Sequence, residues 1–484
     1  MPVSFVRPEI LYAWKGPCLL IVNPRGECGD DQPLSGFYFR EARFLRTLRL
    51  EINGERPWLC ETASVDPTSL ALTFVHPEIT EPGGGGTGQA GDEEGTDAHG
   101  LPERSLDVRL VYRVGITDLS IALVVVNRAR RPLTCELALD LGADFADIQE
   151  AQSGRREQDA PVEVSIHDDR LALSYRHPQL PFHTEIHHEG GWTFRGARAV
   201  ADVTLAPQQR QELSLRIVPF TDRDETSREV VEQREAALQA WRDRFAIVEV
   251  PGNRLFERVL SGNIRDFASF PLLQGERDEW LTMQAGMPLY PAFFGRDAVT
   301  AGWQSGLVDG GEALAAALTR LTRLQSNRFD DWRDEQPGRI PYQVRTGPLA
   351  ILNLNPYSAY YADYASPLMS ELSPRHGLGS RAGDNRLRAA ALRLRRPGAR
   401  AGARSLRSGA ALSRIPDPGV RGRLCARRAP GARRLSARKH TAALECDRLS
   451  AHRADDTRTP APCCGRDAAP RSCAAGLGSG TDPA

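Results

Sequence analysis

Two periods of hydrophobic alternation divide the first 373 residues of this 484-residue chain. Up to about residue 220 the period is two. Leu106-Asp107-Val108-Arg109-Leu110-Val111-Tyr112-Arg113-Val114 alternates apolar and polar positions, which predicts a strand with one buried face. Residues 44–52 alternate partly and end at Asn53-Gly54, the pair favoured in a two-residue hairpin turn because both positions need positive φ. Residues 119–126 form a denser apolar run, which predicts a strand covered on both faces. Residues 134–141, 171–175, 184–187 and 212–218 continue the series of short strands separated by turn residues. Together they predict a β-sandwich over residues 1–220. Within it, the Gly83-Gly84-Gly85-Gly86 run and its acidic neighbours mark 81–103 as a flexible loop. His187-His188 is a tempting ligand pair, but neighbours on a strand face opposite ways, so both are read as structural.

Near residue 222 the period changes to 3.6. Thr226-Ser227 can cap a helix reaching Phe245, with Val230, Ala237, Trp241 and Phe245 roughly on one face. It reads as a linker helix within 221–250. A second helix over 255–270 would bury Leu255, Val259, Leu260, Ile264 and Phe267. A third over 312–325, after Gly310-Gly311, would bury Leu314, Ala317, Leu318, Leu321 and Leu324. Consecutive amphipathic helices after a β region predict a helical bundle or an α/α barrel over 251–373, and argue against a Rossmann sheet.

The net charge is zero, but that average hides a split. Residues 374–484 hold 23 Arg and one Lys against 8 acidic residues, so they carry +16 and the rest of the chain −16. Those 111 residues contain no Phe, Tyr or Trp, one Val and one Ile. Such a segment cannot bury enough apolar surface to offset its chain entropy, and it reads as a disordered tail. A basic arm for nucleic acid would interleave Lys and stacking aromatics, and neither is present. Over the whole chain Arg outnumbers Lys 60 to 2, the mark of a GC-rich gene. Translation of such a gene out of frame yields Arg, Ala, Pro and Gly, so the tail is expected to be out of frame. None of the nine cysteines shows the paired spacing of a zinc site, and no cofactor or metal is expected. No apolar run is long enough for a transmembrane helix and no secretory signal is evident at the start. A reducing, cytoplasmic compartment is expected, without nucleic-acid or membrane partners.

Three clusters between the helices mix aromatics, carboxylates and Arg. They are Gly286-Met287-Pro288-Leu289-Tyr290-Pro291-Ala292-Phe293-Phe294-Gly295-Arg296-Asp297, then Asp331-Trp332-Arg333-Asp334-Glu335 through Arg345, and Tyr360-Tyr361-Ala362-Asp363-Tyr364-Ala365-Ser366-Pro367. Carbohydrate sites need that chemistry. Aromatic rings stack on the apolar faces of sugars, while carboxylates and Arg forks bond vicinal hydroxyls with fixed geometry. Each cluster also has a plain reading: a helix N-terminal charge pair for Arg296-Asp297, a solvated loop around Trp332, and core packing for the tyrosines.

Gly36-Phe37-Tyr38-Phe39-Arg40-Glu41-Ala42-Arg43-Phe44-Leu45, Leu50-Glu51-Ile52-Asn53-Gly54 and Gly142-Ala143-Asp144-Phe145-Ala146-Asp147-Ile148 resemble the N-terminal domain of bacterial glycogen debranching enzymes. Phe294-Gly295-Arg296-Asp297, the 332–340 loop and the 360–367 segment resemble the amylo-α-1,6-glucosidase domain of the same family. The resemblance covers roughly residues 30–370. It implies the first hairpins of an incomplete (α/α)6 six-hairpin barrel, and inverting hydrolysis of α-1,6-glucosidic branch bonds in a glucan without a metal. By the same resemblance, Arg296 and Asp297 hold hydroxyls of the non-reducing-end sugar. Trp332, Arg333 and Arg345 wall the pocket, Glu335 accepts from a hydroxyl, and Tyr361 and Asp363 stand at its rim. Inverting hydrolysis needs two carboxyls about 6.5–9.5 Å apart. In this family the acid is expected in a later motif like Asn-Gln-x-Trp-Lys-Asp, with the base beyond it. Neither appears, and the pattern breaks near Met369-Ser370. The catalytic residues are therefore unknown, and the chain is expected to be a truncated, inactive form. The alternatives are a non-catalytic carbohydrate-binding protein, or a six-hairpin hydrolase acting on a small glycoside such as mannosylglycerate or trehalose.

Overall fold

A computed structural model describes residues 10–29, 32–78, 96–221, 227–247, 252–272 and 281–361. All of them lie in one compact unit, Met1–Arg404. Residues 10–221 form an antiparallel β-sandwich. One sheet has eight strands, in the spatial order Val162–His167, Arg170–Tyr175, His183–His188, Arg210–Phe220, Leu119–Asn127, Leu106–Val114, Ser69–His76 and Trp58–Asp66. Against it lie two four-stranded sheets. One is ordered Thr193–Phe194, Arg198–Leu205, Leu133–Gly142, Thr47–Ile52, and the other Leu11–Lys15, Cys18–Val22, Gly36–Phe39, Ala42–Leu45. Inward residues of all three sheets share one apolar core that includes Phe37, Phe44, Leu110, Leu123 and Leu139.

Two strand expectations are corrected. Leu119–Asn127 alternates between buried and half-buried positions. It is not covered on both faces; its open side carries Ser120, Ala122, Val124 and Val126, apolar enough to hide the period. The Asn53-Gly54 turn does form, with φ of 50° and 82°, and Ile52 and Glu55 exchange backbone hydrogen bonds across it. Yet it closes no long hairpin. Thr47–Ile52 pairs with Leu133–Gly142, and the chain leaves the turn to enter the eight-stranded sheet at Trp58. Of the expected flexible loop 81–103, the part up to residue 95 lies outside the described residues. Its end is pinned by the Asp97 carboxylate, which accepts from the His99 and Leu101 N–H groups at 2.9 and 2.7 Å.

The helices are α1 (Ile148–Ser153), α2 (Arg228–Arg242), α3 (Arg254–Phe267), α4 (Gly295–Asp309), α5 (Glu312–Leu324) and the short α6 (Pro348–Ile351). α2 docks on the sandwich through Leu238 and fully buried Trp241, which cluster with Ile116. α4 and α5 form a hairpin, turned by Gly310 and Gly311 with φ of 70° and 84°. Their axes approach closely at Gly302, where a Cβ would stand 2.6 Å from the Leu314 nitrogen. Ala298, Val299, Ala317, Leu318 and Leu321 fill the space between them, with Phe293.

α3 departs from expectation. Its amphipathic period is real, but none of its residues is buried, and Leu255 and Val259 are 73% and 53% exposed. Periodicity marks which residues share a face and not whether anything covers it. No described helix is long and apolar enough to cross a membrane. The expected Arg-rich tail 374–484 lies outside the described residues.

Candidate functional site

A small three-stranded ladder gathers the clusters of the helical region. Phe293–Phe294 pairs with Gln343–Val344, which pairs in turn with Ala359–Tyr360. The ladder continues past its strands, since the Gly295 N–H donates to the Tyr342 carbonyl at 2.9 Å and the Arg345 N–H to the Ser358 carbonyl at 2.7 Å. Elements distant in sequence therefore converge on the N-terminus of α4. Rings line the ladder. Phe294 stands edge-on to Tyr342, with centroids 5.6 Å apart, and to Tyr290 at 5.6 Å. Tyr357 stands edge-on to Tyr360 at 4.9 Å.

The expected sugar-binding residues divide into two groups. Arg296 and Asp297 open α4, half-buried, with the Arg296 guanidinium 5.8 Å from the Tyr342 ring centroid. Among the described residues, the Asp297 carboxylate makes no hydrogen bond or ion pair. Trp332 is half exposed, in a single 3-10 turn over Asp331–Arg333. None of these three side chains makes a hydrogen bond or ion pair to a described residue. Four others, Glu335, Arg333, Tyr361 and Arg345, are engaged within the protein. Glu335 is buried and accepts from Arg328 Nε at 3.2 Å. Arg333 donates to Asn353 Oδ1 at 2.9 Å. Tyr361 donates its hydroxyl to the Leu324 carbonyl at 3.1 Å. Burial, and then the nearby Glu335 charge, push its phenol pKa up. Asp363 lies outside the described residues. Among those residues, no three His, Cys, Asp or Glu side chains converge as metal ligands.

Arg345 is the least expected. Its side chain is 7% exposed, and its Nη1 donates to Glu41 Oε1 at 2.7 Å. Glu41 belongs to the sandwich. Its Oε2 also accepts from the Thr346 N–H at 2.7 Å and, at 3.4 Å, from the Thr346 hydroxyl. Beside it, Asp147 caps two helices at once. Asp147 Oδ1 accepts from the Gln149 N–H of α1 at 2.9 Å, and Oδ2 from the Leu349 N–H of α6 at 3.1 Å. The loop approaches so closely that a Cβ on Gly347 would stand 2.3 Å from Asp147 Oδ2. Burial, and then the Glu41 charge, raise the Asp147 pKa to about 7. Sequence reasoning saw Glu41 and Asp147 inside recognisable motifs but assigned them no role. Their partners lie 304 and 202 residues away, and no spacing rule reaches that far.

A groove of about 540 Å³ lies elsewhere, on the outer face of the eight-stranded sheet. Ala71, Val111, Ala122 and Val124 floor it and Arg109 and Arg113 stand over it. None of the clustered residues lines it. The ladder and not the groove holds the convergent polar and aromatic groups, so the candidate site is placed at the ladder.

Comparison with known proteins bears on the sandwich. Residues 14–216 match the N-terminal domain of (some) glycogen debranching enzymes. The match places the sandwich among domains carried by carbohydrate-active enzymes. No curated protein matches. Among solved structures, a protein described as a kojibiose phosphorylase from the human microbiome is 9% identical, with a TM-score of 0.40. The similarity covers 70% of this chain, which spans 45% of that one. A galactose mutarotase-like protein from Lactobacillus casei is 6% identical, with a TM-score of 0.24, covering 44% of this chain and all of its own.

Proposed function

We propose that the chain is built on the plan of a glycoside hydrolase of the glycogen-debranching type, and that its α4 N-terminus holds a glucose unit of an α-glucan. The observation that carries this reading is the convergence on one ladder of the open Arg296–Asp297 pair and a set of aromatic rings. The debranching-type sandwich domain supports it. Asp297 stands in the first turn of α4, and a carboxylate without a partner among the described residues suits vicinal hydroxyl donors. Arg296 supplies a planar fork for the same sugar, and Trp332 a face for stacking. The reaction of this reading is inverting hydrolysis of an α-1,6-glucosidic bond. No described residue is assigned as its general acid or base, so glucan binding is the property to measure first.

Titration calorimetry with maltose, isomaltose and maltotetraose tests the proposal. We expect binding to the wild-type chain and a loss of about 2 kcal/mol in Asp297→Ala, the size of a hydrogen bond to a charged group. An unchanged affinity in that variant would leave Asp297 as a helix-dipole residue and remove it from the sugar site.

A further inference from the structure

The sandwich hairpin that joins Gly36–Phe39 to Ala42–Leu45 turns on Arg40 and Glu41, with φ of 49° and 67°. Turns of this kind take Asn-Gly, because a Cβ at positive φ crowds the backbone. Here both residues are long and charged, and both are buried, Glu41 to 1% exposure. Such strain persists only where the surroundings over-determine it, and it gathers at functional places. This turn aims the Glu41 carboxylate out of the sandwich and at the loop that carries Arg345 and Thr346.

The chain of contacts then runs into the candidate site. The Arg345 guanidinium is buried and lies 5.4 Å from the centroid of the Phe294 ring. Phe294 immediately precedes Gly295, Arg296 and Asp297. The same loop holds Tyr342, against which Arg296 is laid. Among the described residues, Glu41 is the carboxylate that pairs with Arg345. Without it the Arg345 cation would lose its direct ion pair, a state that side chains relieve by moving. Gly347 fits between Glu41 and Asp147 only because it lacks a side chain, so the loop is held by shape as well as by charge.

We propose that Glu41 is a positioning residue for the sugar site: it fixes Arg345 and the 342–349 loop, and through Phe294 sets the geometry of Arg296 and Asp297. The inference rests on the sugar-binding reading given above. It makes the sandwich a working part of the site and not a passive neighbour.

The test uses Glu41→Gln in the full chain, which keeps an acceptor for Thr346 and removes the charge. Gluco-oligosaccharide affinity should fall about tenfold or more, equivalent to ~1.4 kcal/mol. Amide exchange should quicken over residues 342–349 while the sandwich strands stay protected. If Glu41 acts through Arg345, the same change made in an Arg345→Met background should weaken binding no further. An unchanged affinity with only a lowered unfolding midpoint would make Glu41 structural glue and overturn the proposal. So would a loss that persists in full in the Arg345→Met background. A wild-type chain that binds no gluco-oligosaccharide would instead overturn the reading of the site, and the exchange measurement would still decide whether Glu41 holds the loop.

Discussion

The Asp147 carboxylate shows how one residue can join the sandwich to a distant loop and be destabilised by doing so. It accepts from two helix N-termini, which favours its anion, yet burial and Glu41 oppose ionisation more strongly. The charged groups that face it are Glu41 from the hairpin turn, Arg345 from the loop and Glu150 from its own helix, whose Oε2 accepts from the Asp147 N–H at 2.8 Å. Because its pKa rises on folding from 3.8 to about 7, the folded chain holds a proton there that the unfolded chain releases. Its contribution to stability is fully present below about pH 4 and is lost as pH rises through about 7. Urea midpoints taken across that range should fall with pH in the wild-type chain, and the slope should flatten in Asp147→Asn. Equal slopes in the two proteins would mean that Asp147 is ionised throughout. Neither the burial nor the Glu41 neighbour was legible in the sequence, and the capping box that Asp147 forms with Glu150 is a finding of the structure.

Among the elements, α3 and α5 have similar amphipathic patterns and opposite fates. α5 buries Ala317, Leu318 and Leu321 against α4, whereas the apolar side of α3, with Leu255, Phe256 and Val259, stays exposed. Truncation should separate them. Leu321→Ala should cost about 2–5 kcal/mol, as for a filled core site, and Val259→Ser should stay within about 0.5 kcal/mol. Chemical denaturation of the two variants measures both. A large cost at Val259 would show that α3 is covered in solution. The strands carry a similar lesson. Leu106–Val114 was readable because its outward positions are Asp, Arg, Val and Arg, whereas Leu119–Asn127 disguised its period with Ala and Val.

Across the molecule, large exposed apolar side chains concentrate in the helical region. Trp303 and Leu307, one turn apart on α4, are 64% and 92% exposed. Exposed patches of this kind bind apolar partners or dyes. The double variant Trp303→Gln, Leu307→Gln should therefore reduce hydrophobic-dye fluorescence with little change in unfolding midpoint; unaltered fluorescence would place the patch elsewhere. The sequence by itself determined the change of period near residue 222, the strand-rich first part, the helix that follows Gly310-Gly311 and the three clusters of aromatic and charged residues. All of these are local, set by side-chain period and turn chemistry over a few residues. Tertiary structure alone decided which strand follows the Asn53-Gly54 turn, whether the face of α3 is covered, and that Arg345 is matched by Glu41. Each of these depends on contacts between residues far apart in the chain, and local preference carries no information about which distant partner closes the loop.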